Sequence, residues 1–346
     1  MGHFIATENT EEFTEKHREL SIKFSLCLFV VLRVLCGYEV PHKTMKTRDV
    51  LGFGCATIDE LFFIEEWPVA DRKIPIQRRE TQGGGLGATA LIAAARLGAT
   101  CSYAGMLGRD ETSTQITELL RAEGIDVDLI FHHEEAGAIR AWVFVDTVAN
   151  TRNVFMQRPA RIGTPPDSPS EAEIAASKCV FLDHYGGQGN VRVCELAHKH
   201  AVPVVADFER EAVPHFFDFL PLVSHPILSR GFASHLTNET QPDQIALALW
   251  NSNRQTVVIT CGENGSYATQ DGRAVTHHRA FATQVVDTTG CGDCFHGVYC
   301  AALAWDWPLG KRLEWASAAA ALKARVSGAQ RGLPTRAELE RFLDGD

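Results

Sequence analysis

The sequence predicts an α/β fold with a doubly wound, mostly parallel sheet and helices on both of its faces. Short apolar segments alternate with helical patterns of about 10–15 residues, which is typical of βαβ units. Two hairpin-like excursions interrupt this alternation. The chain has 346 residues, of which 45% are hydrophobic and 22% charged. These values suit one large globular α/β domain.

The first predicted elements are two strands and a helix. Residues 50–55 (VLGFGC) and 61–64 (LFFI) are short apolar runs followed by turn residues, as is usual for buried strands. Residues 86–97 (LGATALIAAARL) are rich in alanine and leucine and stop at Gly98. This pattern predicts a buried helix that ends on a C′ glycine.

A strand at residues 100–105 and an amphipathic helix at residues 112–122 continue the alternation. The next stretch differs, because residues 138–146 (AIRAWVFVD) and 152–157 (RNVFMQ) are rich in residues that favour strands. A polar turn separates them. They therefore predict a β-hairpin.

Alternation resumes after Lys178, so the strands that follow are expected to run parallel to the first ones. Two helices are predicted at the end of the chain. The elements before them are a strand at 179–183, a helix near 191–200, a strand at 202–207, a helix near 241–250 and strands at 256–260 and 267–270.

The overall charge argues against a nucleic-acid-binding surface. The chain has 33 Lys and Arg against 43 Asp and Glu, a net charge of −10, and no block of basic residues to neutralise phosphates. Its 10 cysteines are scattered without the spacing of a structural zinc site, which fits a reduced, cytoplasmic protein. We therefore expect a small-molecule partner and no nucleic acid.

Residues 1–44 are expected to form an N-terminal extension outside the fold, and residues 45–346 the folded domain. The uncharged apolar run at 24–32 is shorter than the ~20 residues that span a bilayer. A Glu-rich leader precedes it, unlike the basic leader of a secretory signal. We therefore expect no membrane partner. An amphipathic helix packed on the domain is the alternative for this extension.

The strongest functional motif spans residues 285–297 (VVDTTGCGDCFHG). An apolar strand end is expected before it, and Gly290-Cys291-Gly292 lets successive backbone N–H groups converge at the start of an apolar helix. This arrangement favours an anion. Asp293 in the first turn could merely stabilise the helix end. Beside a phosphate, it could also take a proton from an attacking hydroxyl.

This segment resembles the DTxGAGDxFxG signature of the ribokinase-like PfkB carbohydrate kinases, with Cys291 where alanine is usual. The resemblance extends over residues 48–342. Residues 83–98 (GGGLGATALIAAARLG) resemble the N-terminal glycine-rich signature, and two landmarks, 105–110 (GMLGRD) and 260–266 (TCGENGS), follow in the family's order. The chain has no P-loop motif.

The resemblance implies a ribokinase-like, doubly wound sheet with a small β lid formed near residues 59–82 and 137–158. It implies ATP-dependent phosphorylation of a hydroxyl on a small sugar or sugar-like substrate, with Mg²⁺ bridging the phosphates. It also implies a homodimer through the lid, because lid strands in this family often pair between subunits.

The resemblance further assigns roles to individual positions, with Asp293 as the general base. Each position taken singly also fits a plain turn, cap or strand end, and only their common order favours a ligand. The other matched positions are the amides of Gly290, Cys291 and Gly292 for an anion hole, Asp59, Gly84, Gly85 and Thr89 for the substrate, Thr260 and Gly262 for the nucleotide, and Asp287 and Thr289 for a loop that in some members binds a monovalent cation such as K⁺.

Departures from the family pattern concern the substrate and the metal. Thr89 replaces the usual Asn, and the GGGxxAT and GDxFHG patterns are closer to sulfofructose kinases. Lys73 and Arg158 are candidate contacts for a sulfonate. At the place of the N-x-x-E motif, which helps to organise Mg²⁺ in many members, residues 229–232 are SRGF. A sulfofructose or nucleoside kinase of the same family is therefore an alternative.

Other function classes fit less well. A non-catalytic sugar- or nucleotide-binding relative would explain the altered N-x-x-E motif but not the presence of Asp293. A Rossmann dehydrogenase would have its glycine-rich turn directly after the first strand, whereas residues 83–87 follow the lid-like segment. Cys291 and Cys294 have the spacing of a redox pair at a helix start, whose oxidation would distort the anion hole.

Overall fold

A computed structural model describes residues 47–149 and 151–345 of the chain. The predicted extension at residues 1–44 lies outside the described residues. Within the described ranges, no helix is both long enough and apolar enough to cross a membrane.

The described residues form 14 strands and 10 α-helices. In chain order the strands are β1 (Arg48–Gly52), β2 (Thr57–Ile64), β3 (Arg78–Gly84), β4 (Cys101–Tyr103), β5 (Met106–Leu107), β6 (Phe131–His132), β7 (Ile139–Asp146), β8 (Thr151–Gln157), β9 (Ser177–Asp183), β10 (Val204–Asp207), β11 (His225–Ser229), β12 (Val257–Thr260), β13 (Ser266–Thr269) and β14 (Thr276–His278). The helices are α1 (Leu86–Arg96), α2 (Glu111–Ala122), α3 (Glu171–Ala175), α4 (Gln188–Lys199), α5 (Phe216–Phe219), α6 (Arg230–Thr237), α7 (Pro242–Ala248), α8 (Cys291–Ala304), α9 (Leu309–Lys323) and α10 (Arg336–Asp344).

An eight-stranded sheet in the order β14-β13-β12-β11-β10-β9-β1-β4 forms the centre of the domain. The strands from β12 to β4 are parallel, and β13 pairs in an antiparallel manner with both β12 and β14. One apolar core packs α1, α8 and α9 on this sheet, and a second contains residues of α4, α6 and α7. The predicted doubly wound α/β fold is therefore confirmed.

Close packing of α8 on α1 depends on a glycine of the C-terminal motif. A Cβ atom on Gly297 would lie 2.0 Å from the carbonyl oxygen of Ala90. Only glycine lets the two helix backbones approach this closely. The contact fixes the position of α8, whose first turn carries Asp293.

The two β-rich excursions form one four-stranded sheet in the order β3-β2-β7-β8, which we call the lid sheet. Strands β7 and β8 pair as an antiparallel hairpin, as predicted, and β2 pairs with β7 in parallel. In this register Asp59 lies beside Ala141, and Phe62 beside Phe144. Asp59 and Phe62 are therefore on opposite faces of the lid sheet.

Two local expectations were wrong, and some elements were missed. Strand β11 and helix α6 are among the elements that were not predicted from the sequence. The chain ends in three helices rather than two, because Thr335 and Glu338 form a capping box that starts α10. No strand leads into Asp287: Val285 and Val286 are each 60% exposed, and the Val286 N–H donates to the Ala324 carbonyl (2.8 Å).

Candidate active site

Asp293 lies in the first turn of α8, half-buried and directly after the glycine-rich loop. Gly290 caps this helix with φ +80°, and a Cβ there would lie 2.5 Å from the Ala329 carbonyl oxygen. Burial raises the pKa of Asp293 well above its usual range; the Asp207 and Glu209 carboxylates add to this, and His296 opposes it. A carboxyl group in these surroundings binds a proton more readily than an ordinary aspartate.

Three more acidic side chains lie near Asp293 at the carboxyl ends of neighbouring parallel strands. Asp183 ends β9 and accepts hydrogen bonds from the N–H groups of Cys55 (2.6 Å) and Tyr185 (2.8 Å). Burial raises its pKa to about 7. Asp207 ends β10 and is buried, which raises its pKa well above the usual range, whereas Glu209 is exposed.

His296 ties the start of α8 to the central sheet. Its ring nitrogens lie 2.7 Å (Nδ1) from the Gly292 carbonyl oxygen and 2.9 Å (Nε2) from that of Ile227 on β11. Nδ1 is also 3.3 Å from an oxygen of Asp207. Burial lowers the pKa of His296, and the two carbonyl groups and the Asp293 charge oppose this. Nothing in the sequence pattern pointed to this contact.

The backbone amides of the loop are only partly available to a ligand. The Cys291 N–H donates to the Thr288 carbonyl (3.1 Å), so its predicted place in the anion hole does not fit this conformation. In the described ranges, the N–H groups of Gly290 and Gly292 have no hydrogen-bond acceptor. These two amides at the start of α8 remain free to bind an anion.

Gly292, one of these two residues, lines a cavity of about 570 Å³. It brings together four residues singled out from the sequence: Thr260 and Gly262 at the end of β12, and Cys291 and Gly292 at the start of α8. Most of its other walls are apolar, including Phe281, Phe295 and a group of alanines from α9. A largely apolar cavity with Gly292 in its wall suits a flat nucleotide base that carries phosphates.

Asp59 and Gly84 lie together on the lid sheet. Asp59 accepts a hydrogen bond from the Thr57 hydroxyl (2.8 Å), and a Cβ on Gly84 would lie 2.7 Å from its carboxylate. Burial raises the pKa of Asp59, and the Arg152 charge opposes this. Gly85 has φ +90°, and a Cβ there would lie 2.6 Å from the Cys55 carbonyl oxygen. The local backbone therefore requires glycine at position 85, whereas Gly84 leaves room for the Thr57 and Asp59 side chains.

Thr89 does not face the cleft, which contradicts its expected substrate role. It is completely buried, and its hydroxyl accepts a hydrogen bond from the Gln330 side chain (3.1 Å). Lys73 is exposed in a segment without regular structure and has no ion pair within the described residues. Arg158, in contrast, lines a second cavity of about 350 Å³ and hydrogen-bonds with the Tyr185 side chain.

Residues 229–232 do not form an N-x-x-E type metal site. Ser229 caps α6 by accepting a hydrogen bond from the Phe232 N–H (3.4 Å), and residues 229–232 supply no carboxylate. The described part of the chain contains no group of three metal-ligating side chains. Mg²⁺ bound to phosphates needs only one or two protein carboxylates. Glu209, which is exposed beside Asp293, fits this requirement.

The oxygen atoms expected to hold a monovalent cation are already engaged by the protein. The Asp287 carboxylate accepts three hydrogen bonds, from the Thr289 N–H (2.9 Å), the Thr289 hydroxyl (2.7 Å) and the Gly328 N–H (2.8 Å). Arg152 of the lid sheet donates to the Thr289 hydroxyl, and Lys323 to the Asp287 carbonyl. The predicted K⁺ site at Asp287 and Thr289 therefore does not fit.

The cysteine pair lacks the features of a redox centre. Cys294 is completely buried, and the Cys291 thiol donates to the Ala320 carbonyl (3.5 Å). Burial raises the pKa of both thiols. Reactive cysteines have lowered pKa values instead, so neither thiol is activated.

Comparison with known proteins shows which family and fold this chain shares. The model of the family described as pfkB family carbohydrate kinase matches residues 49–336. The ribokinase of Bacillus subtilis is 27% identical over an alignment of 307 residues, which covers 86% of this chain and 99% of that protein. A bifunctional ribokinase/ribose-5-phosphate isomerase A of Fructilactobacillus sanfranciscensis is 25% identical over 86% of this chain, which spans only 57% of that relative. The structure of Arabidopsis thaliana ribokinase complexed with ribose and ATP has the same fold, with a TM-score of 0.75 at 24% identity over 85% of this chain and 97% of that one.

Proposed function

Because the chain belongs to the pfkB family of carbohydrate kinases, we propose that it transfers the γ-phosphoryl group of ATP to a hydroxyl of a small sugar or sugar-like substrate. One observation carries the proposal. Asp293, a carboxyl group of raised pKa, directly follows the residues with the two free amides, and one of these residues, Gly292, lines a 570 Å³ cavity together with Thr260 and Gly262.

Asp293 takes the proton of the acceptor hydroxyl as its oxygen attacks the γ-phosphorus. The bond between this phosphorus and the bridging oxygen breaks, and ADP keeps the bonding electrons. The amides of Gly290 and Gly292 stabilise the charge of the group in transfer. The Asp59 carboxylate accepts a hydrogen bond from a sugar hydroxyl and so orients the substrate. When bound, Mg²⁺ would neutralise phosphate charge, and the Glu209 carboxylate would hold it.

A sugar that carries an anionic group, such as a sulfosugar, is the second candidate substrate class. His184 is 1% exposed, and neither of its ring nitrogens has a hydrogen-bond partner in the described structure. Burial and the charges of Arg210 and Arg158 lower its pKa to about 3. Neither arginine has an ion-pair partner among the described residues, so both can bind an anion.

A coupled assay of ADP release over sugars, sugar phosphates, sulfosugars and nucleosides tests both candidates. Activity with neutral sugars supports the first, and activity restricted to acidic sugars supports the second. Asp293→Asn should lower kcat about 10²–10⁴-fold. The matched control is Asp306→Asn, an exposed aspartate after the other end of α8 with φ +57°, which Asn tolerates. Near-normal turnover of Asp293→Asn would remove the base assignment.

A homodimer through the lid sheet is part of the proposal. The face opposite Asp59 carries Phe62 stacked on Phe144 (5.1 Å), with Trp67 and Phe155 against Phe144. Trp67 is 44% and Phe155 52% exposed. A second copy would cover these rings. Light scattering of the wild-type protein should give twice the monomer mass. Phe155→Glu should lower the measured mass toward that of the monomer.

A further inference from the structure

Lys323, at the C-terminal end of α9, is a completely buried lysine without a carboxylate ion pair in the described residues. Its ammonium group donates instead to two backbone carbonyl oxygens, those of Asp287 (3.0 Å) and Val326 (3.1 Å). Asp287 belongs to the loop before α8, and Val326 to the loop after α9. One buried positive charge thus joins the two loops.

The same two loops are also joined by the Asp287 side chain. Its carboxylate accepts from the Thr289 N–H and hydroxyl on one side and from the Gly328 N–H on the other. The carbonyl oxygen and both carboxylate oxygens of Asp287 therefore each accept a hydrogen bond from the protein. A metal ion could bind there only by displacing these donors.

An ammonium group and a monovalent metal ion can play the same structural part. Each carries one positive charge on a compact centre, and carbonyl oxygens satisfy each of them. The lysine differs in being covalently attached, so its effective concentration does not depend on the solution.

We propose that Lys323 is a built-in cation that holds the 287–289 loop against the 326–328 loop, so that the anion site forms without a monovalent metal ion. The proposal rests on the proposed kinase function for its activity readout. It concerns a positioning residue, because Lys323 acts through the loop that ends at Gly290.

The first measurement is the turnover of the wild-type protein in KCl and in choline chloride at equal ionic strength. We expect equal turnover in both salts. Lys323→Ala removes the charge and leaves space at its place. It should lower kcat/KM about tenfold or more in choline, since hydrogen bonds to a charged group are lost. KCl or NH₄Cl should restore much of this loss.

Two controls isolate the charge. Lys311→Ala removes an exposed lysine from the same helix, whose ammonium lies over the Trp307 ring, and should respond to neither salt. Lys323→Met removes the charge but fills the space, so its loss should not be restored by K⁺. Selective activation of the wild type by K⁺, or full turnover of Lys323→Ala in choline, would overturn the proposal.

A readout without any substrate separates this proposal from the kinase proposal. The thermal unfolding midpoint of the wild type should be the same in both salts, whereas Lys323→Ala should be stabilised selectively by K⁺ or NH₄⁺. If the variants do not fold, the wild-type comparison still decides, because a K⁺-specific rise of its midpoint contradicts a built-in cation. If the protein phosphorylates no sugar but shows this pattern, only the kinase proposal fails.

Discussion

The 287–293 loop and the lid sheet carry the two halves of the candidate site, and they are held very differently. In the loop, the Asp287 carboxylate has three donors, Lys323 lies behind its carbonyl, and Gly290 packs against the Ala329 backbone. In the lid sheet, every residue of β8 is exposed. The group that would act on the phosphate is thus fixed in advance, and the surface that would contact the sugar is not.

The lid sheet contacts the rest of the domain in two ways: Ile58 of β2 belongs to the main apolar core, and charged side chains at the surface form polar contacts. Arg152 of β8 donates to the Thr289 hydroxyl, and Glu80 of β3 pairs with Arg331. Val154 and Met156, which share the face of Asp59, are 48% and 52% exposed. Exposed pairs contribute little stability, so the exposed side chains of β8 can change at small cost to the fold.

The largest effect is expected from a substitution at Gly290, in the 287–293 loop. Gly290→Ala places a Cβ 2.5 Å from the Ala329 carbonyl oxygen at φ +80°, which costs about 1–2 kcal/mol for the conformation alone. We expect kcat to fall by about 10²-fold or more, since the anion-binding amides are displaced. The thermal unfolding midpoint should fall as well.

Gly292→Ala is the matched control, because its Cβ meets nothing within 4 Å. It should keep or raise the unfolding midpoint, since alanine favours helices. If both variants unfold at the wild-type temperature, the loop is less rigid than its contacts indicate.

Asp59→Ala tests the lid half and should have a smaller effect. It removes a charged hydrogen-bond acceptor worth about 1.5–3 kcal/mol, so we expect the sugar KM to rise about tenfold or more, with the ATP KM unchanged. Glu60→Ala, on the same strand but the opposite face, serves as control and should change neither KM. Equal changes in both KM values would remove Asp59 from the sugar site.

Local sequence patterns predicted much of this molecule because they reflect local backbone requirements. Helix α1 ends as expected, with Gly98 at φ +97°. Gly290 caps a helix start, and Thr260 shares a cavity with Gly292 in the first turn of that helix. Asp183 and Asp207 could have been found too, since each ends a predicted parallel strand, where ligands usually bind.

Contacts between distant segments could not be predicted in this way. The buried Thr89 hydroxyl accepts a hydrogen bond from Gln330, which lies 241 residues further along the chain. Lys323 and Asp287 are 36 residues apart, and the contact of His296 with the Ile227 carbonyl spans 69. Periodicity reports which face of a helix is buried, but not which polar group of another segment lies against it.

The smallest expected effect concerns how kcat/KM depends on pH through Asp293, at the end of the 287–293 loop. Asp207 and Asp293 titrate as a pair, and the Asp207 charge raises the pKa of Asp293. As a base, Asp293 acts only when ionised, so kcat/KM should rise with pH through its pKa. In Asp207→Asn one charge is gone, the pKa of Asp293 falls, and this rise should move to lower pH. Asp243→Asn, an exposed change in α7, should leave the profile unmoved. An unchanged acid limb in Asp207→Asn would mean that a group other than Asp293 accepts the proton.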